Sequence, residues 1–190
     1  MRMDERVQEH ARILVDWCTD IEDGDDVVVS ASPEAQELVV ALHREVGRRG
    51  GNPLTLYSSD EASRAYMKGH DGDFSLPEHS LAMYEEADAV IGIRSDPNIS
   101  AMSDVDGEKL AERSRVTKPI QEERLSTQWC LTQHPTNAHA QEAGMSLEEY
   151  RDFVYSATLR DWEEVEEYKK SYANASKARA RSASSPTRRT

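Results

Sequence analysis

The sequence predicts an α/β fold: a mostly parallel sheet of about four strands with helices on both faces, followed by a disordered basic tail. Three observations carry that prediction. Val27-Val28-Val29 and Ala89-Val90-Ile91-Gly92-Ile93 are apolar runs without alternation, as strands covered on both sides require. Helix-patterned sequence separates the strand candidates, as parallel crossovers demand. From Ser171 to Thr190 there is no acid and no Val, Leu or Ile, so that stretch has nothing with which to form a packed element.

Taken in order, Asp4 to Glu22 places Val7, Ala11, Leu14, Cys18 and Ile21 on one helical face, and Gly24 closes it. The strand around Val28 follows and should be interior. Ser32-Pro33-Glu34 reads as a capped helix start, with Ala35, Leu38, Val39, Leu42 and Val46 turned inward as far as Gly50-Gly51. Pro53 to Tyr57 is the second strand, around Leu56, and completes a right-handed crossover unit. Asp60 to Lys68 is a short helix, residues 69–75 a polar loop and Glu78 to Ala87 another helix. The third strand centres on Ile91, where Gly92 suggests close approach of a neighbour. It ends at Arg94-Ser95-Asp96-Pro97-Asn98, beyond a carboxyl end, where open α/β sheets place ligands. Asp104 to Ser126 is helical with an interruption at Pro119, offering Leu110, Val116, Ile120 and Leu125 for packing. The fourth strand is Trp129-Cys130-Leu131. Pro135 halts it, and Ser146-Leu147-Glu148-Glu149 is a capping box opening a helix whose apolar face is Leu147, Tyr150, Val154 and Ala157. Helical pattern continues to Tyr168 through Phe153, Leu159, Trp162 and Val165.

A length of 190 residues suits one domain, residues 1–168, with residues 169–190 as a basic low-complexity tail. The formal net charge is −13. Seven of the 23 basic residues and none of the 36 acidic ones lie from Lys169 onward, leaving 16 against 36, a net of −20, over residues 1–168. Such a field repels phosphate backbones and anionic lipids, which argues against nucleic-acid and membrane partners. An acid excess of this kind also resembles adaptation to high salt. Neither a signal-peptide segment nor a long apolar run is present, so a cytoplasmic location is expected. Cys18 and Cys130 lie in apolar patterns and read as small buried hydrophobes, with no short-spaced partner for zinc.

The string from Thr127 to Ala157, WCLTQHPTNAHAQEAGMSLEEYRDFVYSA after Thr127-Gln128, resembles the thermophilic metallo-aminopeptidase family, leucyl aminopeptidases with two divalent metals. Within that family it resembles the amino-terminal domain, and the likeness runs from about Arg6 to Tyr168. It implies release of amino-terminal residues from peptides by metal-activated water, peptide substrates and a homodimer of the intact enzyme. It also implies that the two divalent ions (zinc, cobalt, manganese or magnesium) are held by a carboxy-terminal domain, so this chain is expected to be truncated before its catalytic half and to carry no catalytic, cofactor-binding or metal-binding residue of its own.

The residues themselves agree with that expectation. His134 and His139, with Glu142 three beyond, invite a metal reading, but helical ligand pairs want an i, i+4 spacing and Pro135 breaks the segment. The turn Ser30 to Glu34 stands where a phosphate loop would, yet it lacks the glycines and carries an acid. His70, Asp71 and Asp73 share a glycine loop, and Asp104 lies near Asp106, but neither set forms a calcium loop. The rival to a peptidase half is a stand-alone α/β binding or assembly module. For the tail, a real basic terminus competes with a reading-frame shift near Ala173, since G/C-rich codons for Asp, Glu and Val read out of register as Arg, Ser and Thr.

Overall fold

The computed structural model describes residues 4–162 and 164–165. Its centre is a four-stranded, wholly parallel sheet in the order β2-β1-β3-β4, with β1 Asp26–Ala31, β2 Asn52–Tyr57, β3 Ala89–Arg94 and β4 Gln128–Gln133. The tail and the helical pattern toward Tyr168 lie outside the described residues.

Pairing register assigns the faces. Val27, Val29, Ala89 and Ile91 point to one side and Val28 and Val90 to the other, and all six are buried. This explains the absence of alternation. On the first side lie α1 (Glu5–Ile13), α2 (Gln36–Arg49) and α8 (Leu147–Thr158), which contributes Tyr155. The chain steps from β1 outward to β2, then back across to β3 and on to β4. Right-handed crossovers therefore put α2 on the first face and α3 (Asp60–Gly69), α4 (Glu78–Glu85), α5 (Gly107–Val116) and α6 (Lys118–Ser126) on the second.

That second layer is thinner. Met67, Phe74 and Val105 form a small core of their own, apart from the main one. Leu54, Trp129 and Leu131 on the second face stay about half exposed. Of the apolar triplet in β4, only Cys130 packs against the main core. Leu131 instead lies over Gly92, where a Cβ would meet its Cδ1 at 3.2 Å, the close approach anticipated from the glycine.

Several boundaries differ from expectation. The first helix stops at Ile13, and a π turn follows over Leu14–Cys18, sealed by the Thr19 amide donating to the Leu14 carbonyl at 3.1 Å. The chain then turns at Asp20 with φ 44°, well before Gly24. Ile21 is nevertheless fully buried, since its amide reaches back to the Val15 carbonyl. Pro119 does not break a helix but sits in the first turn of α6, where a missing N–H costs nothing, and the break falls at Thr117. The capping box of α8 is present as anticipated, with Ser146 and Glu149 each satisfying the other's backbone. Its buried residues are Tyr150, Val154 and Tyr155, with Ala157 and Phe153 exposed, and the helix ends at Thr158. Among the described residues no helix is long and apolar enough to cross a membrane.

Candidate functional site

In an open parallel sheet the natural ligand crevice lies at the carboxyl ends where strand order reverses, here between β1 and β3. That crevice is shut. Ser32, just after β1, and Ser95, just after β3, are both buried and bond each other three ways. The Ser32 amide donates to Ser95 Oγ at 3.1 Å, the Ser32 hydroxyl donates to the Ser95 carbonyl at 2.5 Å, and the two hydroxyl oxygens lie 2.8 Å apart. Ser32 has only one hydroxyl proton, so the last contact is donated by Ser95. Ser32 was expected to cap the following helix with its side chain. It stands at the cap position of the 3-10 turn Pro33–Ala35 but makes no such bond, because its hydroxyl is given to Ser95.

The open cleft lies one strand further over, above the ends of β3 and β4, and has a volume of about 570 Å³. Asp60 at the start of α3 lines it, with Arg94 and Asp96 at the end of β3, His139 and Glu142 of α7 (Asn137–Glu142), and Tyr150 of α8. Thr136 organises one wall. Its hydroxyl donates to the Asp96 carbonyl at 3.0 Å, so toward His139 Nδ1, 2.9 Å away, it must accept. His139 Nδ1 therefore donates to Thr136, and Nε2 faces the cleft 3.6 Å from Asp96 Oδ2. Beside it Tyr150 stacks on the His139 ring, centroids 6.4 Å apart, and its oxygen accepts from Gln133 Nε2 at 2.6 Å, leaving the phenolic proton free to donate. Burial first and Glu142 second push the Tyr150 pKa up, so that proton is retained. Asp60 Oδ2 is out of contact with water and has no partner. Burial, then Asp96 and Glu34, raises its carboxyl above the usual range. The cleft thus offers one imidazole nitrogen, one phenolic donor, one guanidinium and three carboxyl groups.

His134 does not join His139. Its amide extends the sheet by donating to the Arg94 carbonyl at 2.8 Å, and its ring is buried with Nδ1 unpartnered. It lies near His10, whose Nε2 is 2.7 Å from Thr132 Oγ1 and whose ring meets Tyr155 edge-on at 6.0 Å. This buried polar cluster under β4 had no sequence signal, since His10 occupies a position in the first helix that periodicity left unassigned. Three of the residues noted in the sequence have structural roles. Asp104 pairs with Arg64 and Lys68, Asp106 caps α5 by accepting from the Glu108 amide at 2.8 Å, and His70 stacks on Phe74 with centroids 4.3 Å apart.

A family model described as thermophilic metalloprotease (M29) matches residues 3–182. The chain belongs to that family. The match extends beyond Tyr168, where the likeness read from the residues stopped, into the basic segment. Among solved structures, wild-type AmpT from Thermus thermophilus superposes with a TM-score of 0.64 at 19% identity, over 83% of this chain and 43% of that one. That likeness supports the fold. The chain thus spans less than half the length of AmpT. No curated protein matches it. The family implies divalent metals and peptide substrates. The described residues do not fit such ions, for among them no group of three His, Cys, Asp or Glu side chains converges to hold one.

Proposed function

We propose that residues 1–168 form the amino-terminal α/β domain of a metallo-aminopeptidase that removes amino-terminal residues from peptides, with its two divalent ions held by residues outside those described. Membership of the metalloprotease family over residues 3–182 carries this reading. The 43% share of AmpT that the chain covers supports a division into halves. No step of hydrolysis is assigned to the described side chains. The cleft above β3 and β4 is suited to polar peptide groups, since Arg94 and the Tyr150 hydroxyl donate while Asp60, Asp96 and Glu142 favour a cation. We further propose a cytoplasmic, salt-adapted enzyme that works as a homodimer.

The test compares this chain with the product of the longer reading frame on a leucyl chromogenic substrate, each supplied with cobalt, zinc or manganese. The longer product should turn over in a chelator-sensitive way and the 190-residue chain should not. Metal-restored turnover by the short chain would place a ligand set within it, and no turnover by either would defeat the aminopeptidase reading. The same DNA tests the tail. Translating the neighbouring frames from about Ala173 should restore an acidic, valine-bearing sequence, and early stops in both would leave the basic tail as the genuine continuation.

A further inference from the structure

The cleft above β3 and β4 carries groups of both charge signs that do not pair with one another. Arg94 ends β3, and Asp60, Asp96 and Glu142 line the same space. Among the described residues the Arg94 guanidinium pairs with none of these acids, and the Asp96 side chain meets His139 Nε2 instead. Elsewhere in this acid-rich chain Arg6, Arg12, Arg48, Arg49 and Arg64 each sit against a carboxylate. Two further groups in the cleft are incomplete. Asp60 Oδ2 has no partner, and Tyr150, only 9% exposed, accepts from Gln133 and keeps a proton to give. Buried polar groups left open by the protein call for a partner from outside it.

We propose that the cleft is a non-catalytic binding site for a small apolar zwitterion, an α-amino acid or a dipeptide with both ends free, whose ammonium bonds Asp60 and whose carboxylate bonds Arg94 and the Tyr150 hydroxyl. The donors form one pole. Arg94 is the register partner of Gln133 on the neighbouring strand, and Gln133 in turn holds the Tyr150 oxygen, so guanidinium and phenol lie on one side of the space. A guanidinium takes a carboxylate through two parallel hydrogen bonds. Asp60 is the other pole. The last torsion of an aspartate is soft, so a small turn of its carboxyl brings Oδ2 to a donor in the cleft. A bare metal ion is a poor alternative, since among the described residues no three His, Cys, Asp or Glu side chains converge. An ammonium needs no such convergence, because it brings three donors of its own. Ile99 and Met102 add apolar surface for a side chain, and the volume of about 570 Å³ lies within the range of small-molecule clefts. Binding of this kind is independent of the peptidase reading, since it needs no turnover.

The test is isothermal titration of the 190-residue chain with L-leucine and with leucylglycine, each also as its amide and as its N-acetyl derivative. At least one of the two zwitterions should bind one to one, and the tighter names the source. The amide lacks the carboxylate and the N-acetyl form lacks the ammonium, so each should bind more weakly than its parent by about tenfold or more. Arg94→Gln should erase the preference for the free acid over the amide and keep the preference for the free amine. Asp60→Asn should do the reverse. Equal affinity for a zwitterion and its blocked forms, no binding by any of the six compounds, or preferences unchanged in either variant would overturn the proposal. Circular dichroism checks that the variants fold, and where one does not, the six compounds on the unmutated chain decide the matter.

Discussion

His10 Nε2 lies 2.7 Å from the Thr132 hydroxyl, joining the first helix to the edge strand from inside the core. Burial first, and His134 second, lower the His10 pKa from 6.5 to about 4. The folded state therefore prefers the neutral ring, while the unfolded chain takes up a proton near 6.5. The resulting stability is fully present above pH 6.5 and is lost as pH falls toward 4, to the extent of about 3 kcal/mol. His134, also lowered by burial, adds in the same direction. Urea unfolding at pH 7, 6 and 5 should show this decline, and His10→Gln should flatten it. An equally steep decline in the variant would assign the effect to other groups.

The Ser32–Ser95 bridge should behave as one unit. Ser95→Ala leaves the buried Ser32 amide without its acceptor and should cost about 1–3 kcal/mol. Ser32→Ala removes the donor to the Ser95 carbonyl and should cost a similar amount. The double variant should cost less than the sum, by about 1 kcal/mol, because the 2.8 Å contact between the two hydroxyls is lost in either single variant and cannot be lost twice. Additive losses would mean that the two serines act separately.

Sequence and structure agree where one local rule decides, and part where two compete. The β-branched run at Val27 to Val29, the Gly50 helix end and the Ser146–Glu149 capping box were legible because propensity, periodicity and burial all pointed the same way. Ser32 was misread because a serine before a proline satisfies the capping rule locally, while its actual partner lies 63 residues away. The cleft was legible only as a place, the loop after Ile93 at a carboxyl end. Its side chains come from the ends of two strands, the loop after β3 and three helices, and no spacing in the chain encodes that convergence. His134 and His139, five apart in sequence, face different surroundings, His139 bonded to Thr136 and His134 buried with Nδ1 unpartnered.

Two glycines predict opposite responses to alanine. Gly50 ends α2 with φ 83°, and Asp23 Oδ1 occupies the place its Cβ would take. Gly50→Ala should cost about 1 kcal/mol or more from the left-handed backbone alone. Gly92 lies in a strand, and its added Cβ would crowd the Leu131 Cδ1 at 3.2 Å and meet the Cys130 carbonyl at an ordinary 3.8 Å. Leu131 is more than half exposed and free to turn aside. Gly92→Ala should therefore fall within about 0.5 kcal/mol of the parent, since reduced freedom of the unfolded chain offsets the contact. Thermal melts of the two variants side by side test this, and equal losses would refute the distinction.

Salt should stabilise the domain, because residues 1–168 carry 16 basic against 36 acidic residues. Two effects oppose each other as salt is added. The visible ion pairs, such as Arg12–Glu9 at 3.1 Å and Lys118–Glu122 at 2.9 Å, are largely solvent-exposed and weaken. Each is worth only about 0–1 kcal/mol, so their loss is small. Repulsion among the unpaired acids is spread over the whole surface, and it fades as the screening length falls from about 10 Å at 0.1 M to about 3 Å at 1 M. The second effect wins because 36 acids face 16 basic residues over residues 1–168, too few to pair them one to one. The melting temperature should rise steadily with potassium chloride, and charge-reducing changes such as Glu148→Gln or Glu61→Gln on exposed surface should narrow the difference between low and high salt. A melting temperature that falls or stays level would show that the ion pairs matter more than the net charge, and the salt-adapted reading would go with it.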